Sequence, residues 1–316
     1  MKTLFLLKKD WFITFKYFIQ TMILIADSGA TKTDWRVLYS RQDIRPFQTN
    51  GFNPFFVDTP HIKKEVDKEL IPFIDSKGVT EVYFYGAGCS STEKSIIVED
   101  GLIPLFSSAR IKVNDDLLGA ARALCGHSEG IACILGTGSN SCLFDGKNIV
   151  ENLPSLGYML GDEGSGAYLG KKLLKEVLSM TAPLNIRELF EKKYNYSSVD
   201  ILSHLYKQEF PSRFLASFTS FISENMNDAY IQGILKTSFI DFFETQVLKY
   251  SRHKEVPVFC TGSVAFYFSD ILKEVANEKG IQIKNIVQSP IDGLTEYHLV
   301  DLEKFTAIKY SSDMEK

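Results

Sequence analysis

The chain of 316 residues has almost no charge imbalance: 35 basic against 39 acidic side chains leave a formal charge of -4. Such a balance gives no field to collect nucleic acid or an anionic membrane surface. No stretch reaches the roughly 18 apolar residues that a membrane-spanning helix needs. The opening Met1-Lys2 followed by Thr3-Leu4-Phe5-Leu6-Leu7 imitates a secretory signal, but Lys8, Lys9, Asp10 and then Lys16 interrupt it, and no small-residue cleavage site follows. Cysteine is scarce and odd in number. Cys89, Cys125, Cys133, Cys142 and Cys260 are scattered through apolar or glycine-rich segments with no CxxC-type pair. They read as small core residues of a protein kept in a reducing compartment, the cytoplasm, and they speak against a zinc or iron–sulfur site. No GxxxxGK[ST] loop occurs, since Gly166–Lys172 spaces its glycines wrongly and puts no Ser or Thr after its lysines. P-loop and protein-kinase readings therefore drop out. No helix-turn-helix segment and no short-period repeat is found, which speaks against a DNA-binding regulator and a solenoid.

What is present is apolar material, 45% of the residues, in a chain too long for one growing core, so two closely joined domains are expected. Met22–Ala26 is an apolar run ending in Asp27-Ser28-Gly29-Ala30-Thr31-Lys32-Thr33, after which Asp34–Tyr39 resumes a strand pattern. This predicts a hairpin with a polar, glycine-bearing tip. Because the motif follows Met22 directly, Met22 is expected to be the natural start and residues 1–21 an upstream extension. Ile62 to Ser76 is helix-like, Glu81–Tyr85 reads as a buried strand and Gly86–Ser91 as a loop of small residues. Ile111–Val113 then leads through Asn114-Asp115-Asp116 into a helix over Leu117–Leu124. A second hairpin repeats the design: strand Gly130–Leu135, turn Gly136-Thr137-Gly138-Ser139-Asn140, strand Ser141–Phe144. From Leu173 to about Tyr250 the pattern is helical. Val256–Cys260 is a third buried strand, with the turn Thr261-Gly262-Ser263 opening a helix, and Leu294–Ala307 is the last helix-like stretch. The alternation of strands and helices belongs to α/β folds.

Three clusters can carry chemistry. The first hairpin tip offers the hydroxyls of Ser28, Thr31 and Thr33, the Lys32 ammonium and Asp27, which together suit a polyphosphate and the shell of a magnesium ion; the plain alternative is that Asp27 caps the turn. Asp115 and Asp116, leaving a strand for a helix, are either a cap or a base with its neighbour. Gly157–Gly166 sets Asp162 and Glu163 between glycines in a segment that is neither strand nor regular helix, and carboxylates on such a frame suit vicinal sugar hydroxyls; a structural bend is the alternative.

The series Asp27–Trp35, Asp115–Leu124, Gly136–Asn140, Gly157–Gly166 and Thr261–Ser263, in this order from about Met22 to about Leu299, resembles the BadF/BadG/BcrA/BcrD-type ATPase family, and within it the N-acetylglucosamine kinases. The resemblance implies two ribonuclease-H-like, actin-like ATPase lobes with an active-site cleft between them: residues 22–116 joined by the C-terminal helix, about 294–316, and residues 117–293 with helical additions. It implies ATP and Mg2+ as cofactors and an amino sugar as substrate, N-acetylglucosamine first and N-acetylmuramate as an alternative. Gly29, Ala30, Thr31 and Lys32 would form the first phosphate loop, Gly136, Thr137 and Gly138 the second, and Gly262 with Ser263 the adenosine end. Asp27 would hold hydrated magnesium, and Asp116, with Asp115 as substitute, would be the base. Asn53, Asn140 and Asp162, together with Asp116, would bind the sugar. A homodimer through the helical lobe is compatible with the resemblance. The family also contains ATPases that activate a partner enzyme through an iron–sulfur cluster, and the chain lacks the matching cysteine motif.

Overall fold

The computed structural model describes residues 22–29 and 31–300; the expected upstream extension, Ala30 and the part of the expected Leu294–Ala307 helix beyond residue 300 lie outside them. The chain divides into two compact units, one made of residues up to Gly119 with the segment from Leu294, the other of Ala120–Gly293.

In the first unit five strands, β1 (Met22–Ser28), β2 (Lys32–Leu38), β3 (Ile44–Asn50), β4 (Val79–Gly86) and β5 (Arg110–Asp115), form one sheet in the order β3-β2-β1-β4-β5. β2 runs antiparallel to both β1 and β3, whereas β4 pairs parallel with β1 and β5 parallel with β4. β1 is the central strand, so both its faces are covered, and this is why its sequence is an unbroken apolar run rather than an alternation. Helices α1 (Thr59–Glu69), α2 (Thr92–Leu102) and α3 (Asp116–Cys125) follow β3, β4 and β5. The core gathers Trp35, Phe52, Ile62, Val66, Phe84, Val98 and Leu102. Its one large polar edge is satisfied, since the Trp35 indole N–H donates to Thr49 Oγ1 at 3.0 Å. α1 is shorter than the helical pattern of 62–76 suggests. It starts earlier, on the Asp58 cap, and stops before two single 3-10 turns, Ile71–Phe73 and Ser76–Gly78. Pro72 accounts for the stop, because it brings no N–H to continue the helix and its ring would clash with the carbonyl four residues back.

The second unit repeats the plan. β6 (Glu129–Leu135), β7 (Ser139–Asp145), β8 (Ile149–Asn152), β9 (Val258–Thr261) and β10 (Ile283–Val287) are ordered β10-β9-β6-β7-β8, with β6, β7 and β8 antiparallel and β9 and β10 parallel to β6. The long connection from β8 to β9 contains the helices Gly166–Leu178, Leu184–Lys193, Ser198–Lys207 and Ala229–Thr245, among shorter ones. Their inner faces build an aromatic core of Phe190, Phe218, Phe221, Phe239, Phe242 and Phe243. Gly157–Leu160, which reads as irregular in the sequence, is a four-residue helix. The cysteines are free and buried, as expected of small core residues. No described helix is long and apolar enough to cross a membrane.

Two glycines on neighbouring helices differ in what they permit. A Cβ on Gly170 would lie 1.9 Å from the Leu215 carbonyl oxygen, while one on Gly233 would meet nothing within 4 Å. Gly170→Ala is therefore expected to cost about 1–3 kcal/mol or more, as overpacking against backbone does. Gly233→Ala should stabilise by about 0.5–1 kcal/mol through helix propensity. Urea unfolding of the two variants checks both signs.

Candidate active site

The parallel strands of the first sheet end together. Ser28 is in register with Gly86, and Gly86 with Asp115, so Asp27, the loop after β4 and the start of α3 meet at the carboxyl edge, where open α/β sheets bind ligands. The two adjacent acids have different partners. Asp115 Oδ1 accepts the Leu118 N–H at 2.7 Å and so caps α3. Asp116 occupies the first helical position, and its carboxyl is pushed up to about 6, first by burial and then by the Asp115 charge, against the pull of the Leu117 and Asp116 N–H groups. Asp27 is raised further, to about 7, by burial, by Asp116 and by Asp34, with Lys32 opposing. Asp34 lies directly across from Asp27 in the β1–β2 register, pairs with Lys32 Nζ at 2.7 Å and accepts from Gln48 Nε2 at 2.8 Å. The strand pattern of Asp34–Tyr39 hides this residue from a reading of the sequence, because alternation alone does not show which carboxylate faces another.

The hairpin tip differs from expectation in its hydroxyls. Ser28 Oγ and Thr33 Oγ1 lie 2.7 Å apart; Ser28 Oγ accepts the Phe52 N–H and Thr33 Oγ1 donates to the Asn50 carbonyl. Both residues are buried, so they lock β1, β2 and the chain after β3 together and are not presented to a phosphate. Thr31 and Lys32 are exposed at the tip, next to Gly29, whose N–H closes the turn on the Lys32 carbonyl at 3.0 Å. Asn53 belongs to the same edge. Its Oδ1 accepts the Phe55 N–H and sits 2.5 Å from where a Cβ of Gly88 would be, so the loop leaving β4 needs glycine there for space as well as for its φ of +84°.

In the second unit the corresponding edge carries glycine loops. Helix Gly166–Leu178 begins by donating the N–H groups of Gly166 and Ala167 to the carbonyls of Gly136 and Thr137, at 2.8 and 3.0 Å. Across a trans peptide the following N–H points the opposite way, so those of Thr137 and Gly138 are aimed away from the helix, as an anion cradle requires. Gly262, at φ +109°, lies against this loop: its Cβ would stand 2.3 Å from the Leu135 carbonyl oxygen. Ser263 then opens the short helix Ser263–Tyr267. Asp162 adopts the left-handed conformation, φ 57°, and places its carboxylate 2.9 Å from where a Cβ of Gly138 would be. Burial raises its carboxyl, and the Ser139 N–H offsets this in part. Asn140 Oδ1 accepts the N–H of Ser141 at 2.9 Å. The structure thus gathers the expected residues into two sets. Asp27, Thr31, Lys32, Asn53, Asp115 and Asp116 share the edge of the first sheet; Gly136, Thr137, Gly138, Asn140, Asp162, Gly262 and Ser263 share that of the second.

A solved structure of a candidate N-acetylglucosamine kinase from Porphyromonas gingivalis matches with a TM-score of 0.83 and 44% identity, covering 88% of this chain and 99% of that one. A ROK-family glucokinase from Streptomyces griseus, solved with glucose and AMPPNP, matches with a TM-score of 0.56 and 14% identity, covering 89% and 98%, a likeness of fold alone. Among curated proteins, an N-acetylmuramic acid/N-acetylglucosamine kinase from Clostridium acetobutylicum is 30% identical over 157 residues, 47% of this chain and 49% of that protein, so the match spans about half of the relative's length. No family model matches. The doubled sheet and its glycine-tipped hairpins are the α/β fold of the sugar kinases and actin-like ATPases. Within that class the chain belongs to the family of the Porphyromonas protein, the N-acetylglucosamine kinases.

The crowding of Asp27 sets a sign that can be measured. Its folded value of about 7 lies above the ordinary 3.8, so the folded state holds a proton the unfolded state has lost, and stability falls as pH rises through this window. Asp27→Asn removes that loss. In buffer with EDTA its melting temperature should exceed that of the wild type above pH 7, and the difference should vanish as pH falls to 3.8.

Proposed function

We propose that this protein transfers the γ-phosphoryl group of ATP to a hydroxyl of an amino sugar, N-acetylglucosamine in the first place, giving N-acetylglucosamine 6-phosphate. The observation that carries the reading is the division of labour between Asp115 and Asp116. One carboxylate is consumed as a helix cap, and its neighbour is left at the same edge as Asp27 with its carboxyl raised toward neutral pH, as suits a general base. Asp116 takes the proton of the acceptor hydroxyl as its oxygen bonds to the γ-phosphorus and the bond to the β-phosphate oxygen breaks, releasing ADP. Phosphoryl transfer asks little more of a protein than positioning and charge neutralisation.

Gly29, Thr31 and Lys32 suit polyphosphate oxygens, with Ala30 between them outside the described residues. The N–H groups of Thr137 and Gly138 suit phosphate as well, and Gly262 with Ser263 the nucleoside. Asn53, Asn140 and Asp162 orient the sugar. Asp27 suits magnesium as a single carboxylate that feels the Asp116 and Asp34 charges, since a hydrated divalent ion takes one or two carboxylates with substrate phosphates rather than a protein cage. When bound, magnesium neutralises the charge that builds on the phosphates. The two names carried by the relatives, N-acetylglucosamine kinase and N-acetylmuramic acid/N-acetylglucosamine kinase, support an acetamido sugar. The free, buried cysteines support a reducing compartment such as the cytoplasm. A homodimer belongs to the same reading.

ADP release with magnesium-ATP and a panel of N-acetylglucosamine, N-acetylmannosamine, N-acetylmuramate, glucosamine and glucose tests the proposal. One acetamido sugar should drive release, and Asp116→Asn should lower kcat by about 10²- to 10⁴-fold with the fold intact. Asp115→Asn, which still caps a helix, should keep most of the rate. Release that is the same with and without sugar would sink the kinase reading in favour of a partner-activating ATPase.

A further inference from the structure

The segment that carries Asp162 is anchored at its far end, where the Ser165 N–H donates to the Asp162 carbonyl at 3.0 Å and Ser139 Oγ to the Glu163 carbonyl at 2.8 Å; its first turn is what needs holding. Gly157 (φ 68°) and Asp162 (φ 57°) are both left-handed, and between them the four-residue helix Gly157–Leu160 closes with the Gly161 N–H on the Gly157 carbonyl. A single turn of helix is unstable in isolation. Core packing supplies part of the difference, through Tyr158, which packs partly buried against the core, while Met159 and Leu160 are 71% and 77% exposed. One long side chain reaches across: Lys171, on helix Gly166–Leu178, donates from Nζ to the Tyr158 carbonyl at 2.8 Å. Its ammonium lies 5.1 Å from the centroid of the Tyr168 ring, a cation–π contact that Lys172 shares at 5.0 Å. Burial lowers the Lys171 value, and the Glu163 and Asp162 charges act in the opposite direction. The adjacent Lys172 is spent differently, in an ion pair with Asp241 at 2.8 Å that ties this helix to Ala229–Thr245.

We propose that Lys171 is a positioning residue for sugar binding: by holding the Tyr158 carbonyl it keeps the Gly157–Asp162 turn closed and the Asp162 carboxylate over Gly138. This rests on the reading of Asp162 as a sugar ligand. A purely structural lysine would influence stability and both substrates alike, whereas a lysine that fixes this one segment influences the sugar.

The test compares Lys171→Met, Lys171→Arg and, as a structural control, Lys172→Met. Three quantities are read: KM for the sugar that the wild type phosphorylates, KM for ATP, and deuterium uptake of the peptide spanning residues 156–163. Lys171→Met should raise the sugar KM about tenfold while the ATP KM stays within about twofold, and it should speed exchange in 156–163; Lys171→Arg should restore much of both, and Lys172→Met should leave both near wild type. Unchanged sugar KM with unchanged exchange overturns the proposal. So does a Lys171→Met variant whose sugar KM, ATP KM and melting temperature all move together. If the wild type phosphorylates no sugar, the reading of the site fails, and the exchange data alone decide whether Lys171 holds the turn. Should Lys171→Met not fold, Lys171→Gln carries the same readouts.

Discussion

Carboxylates placed at one sheet edge with too little opposing charge organise the first unit. Asp27 faces Asp34 across the hairpin and feels Asp116 at the start of α3, and Asp116 in turn feels Asp115. Burial raises the Asp27 and Asp116 carboxyls first and the neighbouring charges add to it, with Lys32 opposing at Asp27. A fold tolerates such crowding when the backbone leaves the groups nowhere else to go. Here the parallel register of β1, β4 and β5 fixes the strand ends, the Asp115 cap fixes the first turn of α3, and the Ser28, Thr33, Asn50 and Phe52 bonds fix the hairpin.

The same sheet plan occurs twice in the chain with different chemistry at its edge. In the first unit the edge bears acids. In the second it bears glycines, because Gly138 gives room to the Asp162 carboxylate and Gly262 to the Leu135 carbonyl, and any side chain would collide. One strand order therefore carries two different sets of side chains at its edge, with only a few residues at the strand ends deciding which.

Much of this was legible from residue patterns. Both hairpins, the strand before Gly262 and the helix after Asp116 have strong local signals: apolar runs broken by glycine-rich tips, and acids at a helix start. The edge strands β3, β8 and β10 did not stand out, since they bury little; β3 even contains Pro46, as edge strands allow. The hydroxyls of Ser28 and Thr33 looked like phosphate donors because a sequence does not distinguish a presented hydroxyl from one spent on the neighbouring backbone. Asp115 and Asp116 were equivalent until a 2.7 Å bond to the Leu118 N–H separated them. Asp34 and Lys171 escaped notice because their roles depend on register and on reach between elements, which local patterns do not encode.

The pH dependence of kcat/KM for the phosphorylated sugar tests most directly whether Asp116 is the base in this crowded site. If it must be ionised to accept the hydroxyl proton, the rate should fall as pH drops through about 6. Because the Asp115 charge helps to raise that value, Asp115→Asn should move the acid limb to lower pH. A rate that is flat from about pH 5 to about pH 8, or an acid limb that Asp115→Asn leaves in place, would contradict the account.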